Sequence, residues 1–153
     1  MNREIENIKK TRVYLLEVIK DLSIDQLNII PAGFNNNIIW NLGHMIAAQQ
    51  GVCYLRSGAQ IVVEDKYYAD YKPGTKPTQY IDAVEVEKTK NLMLSSIDKL
   101  AVDYGTEVFK NYGSFTTRYG AELTGIDDAI AFLPYHDGLH TGTIVALSKL
   151  VTL

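Results

Sequence analysis

The chain has 153 residues, of which 46% are hydrophobic and 22% charged, as in an ordinary globular domain large enough to bury a core. We therefore expect a single domain over residues 1–153. The formal net charge of −3 excludes the basic footprint of a nucleic-acid-binding protein, and no apolar run approaches the roughly 18 residues that span a bilayer.

The first predicted helix covers residues 3–22, where apolar residues recur at steps of three and four. Arg12 stands in the one missing place of that buried stripe. Such an arginine usually extends its charged head to the surface. If it points inward near a metal, it could instead bind an anionic group of a substrate.

The second predicted helix follows a short capped turn at Ser23, which Pro31-Ala32-Gly33 ends. Asn35–Asn37 offer N-caps for this helix, and Gly58 closes it after Ser57. One face of the helix combines a tryptophan, a histidine and small residues, which indicates that it packs inward. These residues are Trp40, His44, Ala47, Ala48 and Gly51.

A long linker at residues 59–78 precedes the third predicted helix, which runs from Thr78 to Val102. Loops of this length in compact domains are usually functional or disordered. The linker carries Tyr67, Tyr68 and Tyr71, which could form a lid or a partner surface, although packing in a solvent-facing loop is the simpler expectation.

The last third of the chain predicts a loop or weak hairpin over residues 104–120 and then a fourth helix to Leu150. A capping box of Thr124 and Asp127 should begin this helix, and Pro134 should kink or split it. Four helices with a long crossover between the second and third, and no convincing sheet, predict an all-α four-helix bundle. Cofactors in such bundles are held by side chains from facing helices.

The three histidines of the chain are the strongest functional signal. His136 and His140 are four residues apart and share one helix face. If the second and fourth helices are neighbours, His44 joins them and three imidazoles converge with coordination positions left open. This arrangement predicts a catalytic type of site for a divalent transition metal such as Zn, Ni or Fe. The alternative is three core histidines, each hydrogen-bonded to a neighbour.

Two other metal sites are disfavoured by the residues around the histidines. His136-Asp137-Gly138-Leu139-His140 has the spacing of a zincin protease, but no further His, Asp or Glu follows to complete the ligand set. A ferritin-like di-iron centre needs Glu-x-x-His pairs, which the chain lacks. Asp137 itself is either a solvent-facing carboxylate or one that supports the ligands from behind.

The single cysteine, Cys53, excludes an intrachain disulfide and is typical of a reducing compartment. It lies nine residues after His44, about half a helical revolution away, so we expect a small core residue and not a ligand. The N-terminal residues lack the apolar segment of a secretory signal. We therefore expect a cytoplasmic, soluble protein.

The histidine segments resemble those of the DinB-like superfamily of metal-binding four-helix bundles. The resemblance implies an up-down-down-up helix order, frequent homodimers and a divalent metal on His44, His136 and His140 with water at the open positions. Characterised relatives include S-transferases and isomerases that use low-molecular-weight thiols. The family pattern often has Glu where this chain has Asp137. The matching segments are Trp40-Asn41-Leu42-Gly43-His44 and His136-Asp137-Gly138-Leu139-His140-Thr141-Gly142.

Two classes of function follow from these expectations. The first is a metal-dependent enzyme acting on a small molecule, either a hydrolase that activates water or a transferase that activates a thiol. The second is a non-catalytic metal-binding or stress-related dimer, with a closed site and no cavity above the metal. A pocket lined by Trp40 and the loop tyrosines would distinguish the two. The sequence names no catalytic residue beyond the metal ligands.

Overall fold

A computed structural model describes residues 2–153; Met1, which the expected domain includes, lies outside the described residues. The predicted all-α class is confirmed, with one minimal hairpin added to the helices. The helices are α1 (Arg3–Val18), α2 (Ile24–Asn28), α3 (Ile38–Gln49), α4 (Asp65–Tyr71), α5 (Ala83–Tyr104) and α6 (Ile126–Leu150), and the strands are β1 (Phe115–Thr116) and β2 (Glu122–Leu123).

The four long helices surround a common core. α1 packs against α5 and α6, and α3 packs against the same two helices. Along residues 2–153, no helix combines the length and apolarity needed to cross a membrane. α3 is buried on every side, so its side chains can contact both of its neighbours. The packing of α3 against α6 places the second and fourth long helices of the sequence side by side, as the metal prediction requires.

The N-terminal helices follow the predicted pattern with one shorter boundary. α1 ends at Val18, not at residue 22, although Leu22 still packs against the core. The predicted turn at Ser23 is confirmed as a capping box, in which Ser23 and Gln26 satisfy each other's backbone N–H groups. α3 begins at the predicted asparagine cap, where the Asn37 side chain accepts a hydrogen bond from the Trp40 N–H.

α3 does not end in regular α geometry. A π-helical segment (Gln50–Tyr54) and a 3₁₀ turn (Leu55–Ser57) continue it to Gly58. Gly58 has φ +66°, the left-handed conformation that glycine adopts most easily at a helix end. The predicted end is therefore confirmed, but apolar periodicity did not predict the π segment, a form that often occurs at functional sites.

The tyrosine-rich linker contains α4, and the expectation of solvent-facing packing is wrong. Tyr67 and Tyr71 are only 3% and 5% exposed and belong to the core. A Cβ on Gly43 would lie 2.4 Å from the Tyr71 ring, so only glycine lets this ring lie against α3. Tyr68 stays partly exposed. The linker folds because burying two of its aromatic rings against α3 removes apolar surface from water, which is favourable in free energy.

The C-terminal half differs from prediction at the start of α5, at the start of α6 and at Pro134. α5 begins at Ala83, later than predicted, because Asp82 caps it. The predicted capping box at Thr124 and Asp127 is wrong, since Asp128 accepts both hydrogen bonds from Thr124 and α6 begins after Gly125. α6 also runs unbroken through Pro134, so the predicted split does not occur. The segment predicted as a loop or weak hairpin, residues 104–120, contains β1, which pairs with β2 just beyond it in a two-residue antiparallel ladder.

Candidate metal centre

The three histidines meet between α3 and α6. The ring centroids of His44, His136 and His140 lie 4.7–5.3 Å apart. One nitrogen from each ring lies within 4.8 Å of the other two, close enough for a single ion to contact all three after small rotations. The sequence prediction that these side chains converge is therefore confirmed.

His44 is oriented by the end of α4. Its Nδ1 lies 2.8 Å from the Tyr71 carbonyl oxygen. Because a carbonyl can only accept, Nδ1 carries the hydrogen and donates it, which leaves Nε2 with a free lone pair. The Tyr71 carbonyl belongs to the last turn of α4, where carbonyl groups have no partner within the helix. The crossover thus supplies the hydrogen bond that selects the His44 tautomer.

His140 is oriented by Asn41, a residue to which the sequence assigned no role. The His140 Nδ1 lies 2.8 Å from the Asn41 Oδ1. The Asn41 amide nitrogen donates to the Asn36 side chain and to the Asn37 carbonyl, so its oxygen must face the histidine. His140 therefore donates from Nδ1 and keeps Nε2 free. Such supports behind metal ligands commonly set ring orientation and basicity.

His136 and Asp137 are the incomplete part of the site. The His136 Nδ1 lies 3.8 Å from the Asp137 Oδ1, and neither atom has a hydrogen-bond partner among the described residues. A small movement would bring the two atoms together, with His136 donating and Asp137 accepting. Asp137 is fully buried, so its solvent-facing alternative is wrong. Its position behind His136 is that of a supporting carboxylate.

Arg12 is also fully buried, and the expectation that its head reaches the surface is wrong. Its Nε donates to the Asp137 Oδ2 at 3.0 Å, which forms a buried ion pair. The other guanidinium nitrogens are occupied by oxygens from α3 and α5. Arg12 therefore supports Asp137, and its complete burial outside the pocket lining keeps it from a substrate anion. These acceptors are the Gln49 Oε1, the Ser96 Oγ and the carbonyls of Met45 and Met93.

The electrostatics favour neutral imidazoles at His44 and His140 and an ionised carboxylate at Asp137. Burial lowers the pKa of His44 and, together with the neighbouring histidines, lowers that of His140 to about 3. Burial alone would raise the pKa of Asp137, but the Arg12 guanidinium and His136 hold it below its ordinary value. Neutral histidines are the form that binds a metal, so the site is ready for one near neutral pH.

A pocket of about 870 Å³ opens onto the three histidines. The Trp40 ring lines it and stacks on His44, with centroids 4.7 Å apart and planes 10° apart. Tyr68 is the one linker tyrosine at the pocket; Tyr67 and Tyr71 lie behind it in the core. Arg12 and Asp137 do not line the pocket. The site is therefore accessible to a small molecule at the histidine end.

Cys53 takes no part in the site. The side chain is completely buried in the core, and burial raises the pKa of its thiol. A buried protonated thiol neither binds a metal nor attacks an electrophile readily. The sequence prediction that Cys53 is a core residue is confirmed.

The donor set fits a divalent transition metal. Imidazole suits Zn, Ni, Fe and Cu, and two Nε2 lone pairs point away from their hydrogen-bonded Nδ1 partners. Fold and site define an all-α protein with an open three-histidine centre between two packed helices. The chain belongs to the DinB superfamily, whose sequence model matches residues 7–144. Comparison with curated proteins gives no significant match.

Proposed function

We propose that the protein is a metal-dependent enzyme that acts on a small molecule, and more specifically a thiol S-transferase. The observation that carries this proposal is the pocket above the histidines. A non-catalytic metal-binding or stress-related dimer would have a closed site, whereas this site leaves room for a substrate beside the ligands. The pocket volume is within the usual range for small-molecule sites.

The histidines would hold a Zn, Ni or Fe ion through Nε2 of His44 and His140 and through the ring of His136. A metal with open positions lowers the pKa of a coordinated water or thiol and so supplies a nucleophile near neutral pH. Tyr71 and Asn41 keep two imidazoles in the binding tautomer. Trp40 forms an apolar wall beside His44 and excludes water from that side of the ligands.

Thiol transfer is preferred to hydrolysis on the family resemblance, and the state of Cys53 is compatible with it. The protein's own cysteine is buried and protonated, so a thiol nucleophile has to be an added low-molecular-weight cofactor. Hydrolysis remains the second candidate, because the same centre could activate water. The two reactions differ in whether a thiol is consumed.

We expect purified protein to carry a divalent transition metal and to consume electrophilic substrates only when a low-molecular-weight thiol is added. Elemental analysis measures the first, and loss of free thiol alongside loss of electrophile measures the second. A chelated sample is the matched control and should be inactive. Substrate loss at full rate without thiol would identify a hydrolase, and inertness under both conditions would favour the non-catalytic alternative.

We also infer the up-down-down-up helix order, which several cross-helix contacts support. Arg12 of α1 meets Asp137 of α6, and Lys9 of α1 meets Asp98 of α5. Gln49 of α3 is hydrogen-bonded to Ser96 of α5, and the later residue Tyr54 is hydrogen-bonded to the later residue Asp103. His140, in the second half of α6, is hydrogen-bonded to Asn41 near the start of α3. These pairs are those expected if α3 and α5 run antiparallel to α1 and α6. The crossover that contains α4 then joins two parallel helices.

We also propose a homodimer, which the family resemblance implies, and a cytoplasmic location, which the single cysteine favours. α6 exposes Tyr135 and Leu139, and the space beside Gly138 and Gly142 is open, so a second copy could pack there. We expect light scattering at micromolar concentration to give twice the 17.1 kDa chain mass. Leu139→Glu should shift the mass toward a monomer. A wild-type mass of one chain would contradict the dimer.

A further inference from the structure

The pocket carries two positively charged side chains in addition to its histidines. Arg56 and Arg118 line it, and no Asp or Glu does so anywhere in the described chain. Within residues 2–153, neither arginine has a carboxylate at ion-pair distance, whereas the buried Arg12 pairs with Asp137. Two cations with unused donors therefore face one cavity.

Arg56 belongs to the 3₁₀ turn that continues α3. Its guanidinium carbon lies 3.9 Å from the centre of the Phe115 ring, a stacked position that leaves the edge of the guanidinium free. Its carbonyl accepts a hydrogen bond from the Gly113 N–H at 2.6 Å. The loop before β1 thus holds the backbone of Arg56, and the phenylalanine ring supports its side chain.

Arg118 lies in the turn between β1 and β2. The turn is closed by the Thr117 N–H, which donates to the Ala121 carbonyl at 2.8 Å. Tyr119, the next residue, packs edge-on against Tyr135 of α6 with centroids 5.4 Å apart. The hairpin is therefore anchored to the helix that carries two of the histidines. This anchoring explains how a short surface hairpin can present an arginine to the pocket.

Five aromatic rings contribute to the remaining wall. Trp40, Tyr68, Phe115, Tyr119 and Phe132 all line the pocket. A ligand that fits this cavity has an apolar, preferably planar, body against the rings. Its charged group would be an anion, since a cation would face two arginines with no acid to offset them.

We propose that Arg56 and Arg118 form a carboxylate-binding site, and that the protein takes ligands with an apolar body and a carboxylate group. The planar guanidinium matches a carboxylate with two parallel hydrogen bonds. The assignment rests on the proposed function in taking the histidine end as the reacting end. Binding of an anionic substrate group, which the sequence suggested for Arg12, is thus assigned to two other arginines. The carboxylate can belong to the electrophile or to the thiol, and both arms are tested.

Binding is measured directly, without turnover. The protein has one tryptophan, Trp40, and it lies in the pocket, so its fluorescence reports occupancy. The probes are 3-phenylpropionate against 3-phenylpropanamide, and 3-mercaptopropionate against 3-mercaptopropanamide. Each pair is titrated with Zn²⁺ added and again after chelation, because a carboxylate could also bind a metal ion.

We expect the carboxylates to bind at least about tenfold more tightly than the amides, with or without Zn²⁺. Arg56→Gln and Arg118→Gln should each remove most of that preference and leave amide binding unchanged. Arg118→Lys should retain part of the preference for the carboxylate, because lysine keeps the positive charge but cannot form two parallel hydrogen bonds. Arg3→Gln is the matched control: it removes one exposed positive charge outside the pocket and should change nothing.

Equal binding of carboxylate and amide to the wild-type protein, or of neither, would overturn the carboxylate site. Equal losses for both probes in the arginine variants would also overturn it, because they indicate general damage to the pocket. Failure of the proposed function is a separate result. If the protein selects carboxylates but never consumes a thiol, the carboxylate site stands and the transferase assignment fails. If it turns over only neutral substrates and needs a thiol, the transferase assignment stands and the carboxylate site fails.

Discussion

Replacing His140 by alanine should weaken Zn²⁺ binding by more than about 100-fold. Losing a residue that only hydrogen-bonds to a ligand typically weakens metal affinity by about tenfold to 100-fold, and losing a ligand itself should cost more. The reason is that His140 supplies one of three nitrogens that lie within 4.8 Å of each other. Competition with a chromophoric chelator measures the affinity. Circular dichroism should show unchanged helix content with and without Zn²⁺, because the core and not the metal stabilises the fold.

Two further variants separate ligation from other effects of the substitution. Asn41→Ala removes the acceptor that orients His140, together with the bonds that the amide donates to Asn36 and Asn37, but leaves all three ligands in place. Its affinity for Zn²⁺ should therefore fall between those of the wild type and His140→Ala. Thr143→Ala lies one turn further along α6, outside the pocket, and should bind Zn²⁺ normally. Unchanged affinity in His140→Ala would rule out the three-histidine site.

The second large effect concerns the buried ion pair. Asp137→Asn or Arg12→Met should each lower the free energy of unfolding of the metal-free protein by about 3–5 kcal/mol, since each leaves the partner charge buried and unpaired. The double variant should cost less than the sum, with a coupling of about 1–3 kcal/mol. Urea denaturation of the four proteins measures the cycle.

The pH dependence of this contribution follows from the direction of the Asp137 shift. The pKa of Asp137 is below its ordinary value in the folded protein, so the ion pair contributes fully above the unfolded pKa of about 3.9. The contribution is lost as the pH falls through the folded pKa.

For the mutant cycle, Lys9→Ala breaks the exposed pair with Asp98 and serves as the control, with a cost below about 1 kcal/mol. Additive costs in the cycle would show that Arg12 and Asp137 act independently.

The histidine centre could be predicted from the sequence because spacing on a helix determines which side chains share a face. His136 and His140 needed only that rule, and His44 needed only that α3 and α6 be neighbours. The supports behind the ligands could not be predicted in this way. The Tyr71 carbonyl is a backbone group in a segment that looks like a linker, and it reaches His44 only because Gly43 lets the tyrosine ring pack closely.

Arg12 shows where a statistical expectation fails for a physical reason. An arginine in an apolar stripe usually reaches water, because burying an unpaired charge is costly. Here the charge is paired with Asp137, and oxygens from two further helices accept hydrogen bonds from the other two guanidinium nitrogens. None of those partners is near Arg12 in the sequence, so local periodicity could not reveal them. Arg56 and Arg118 were missed likewise, since the 3₁₀ turn after the π segment and the turn between β1 and β2 place them at the pocket.

The burial of Cys53 has a practical consequence for the chemistry proposed here. A protein that handles electrophiles is at risk of being alkylated by them, and the cysteine thiolate is usually the most reactive nucleophile of a chain. This chain has one cysteine, which is fully buried with its pKa raised by that burial. The Cys53 thiol of the folded protein is therefore shielded from added electrophiles. Every thiol equivalent lost in solution can then be assigned to the added cofactor.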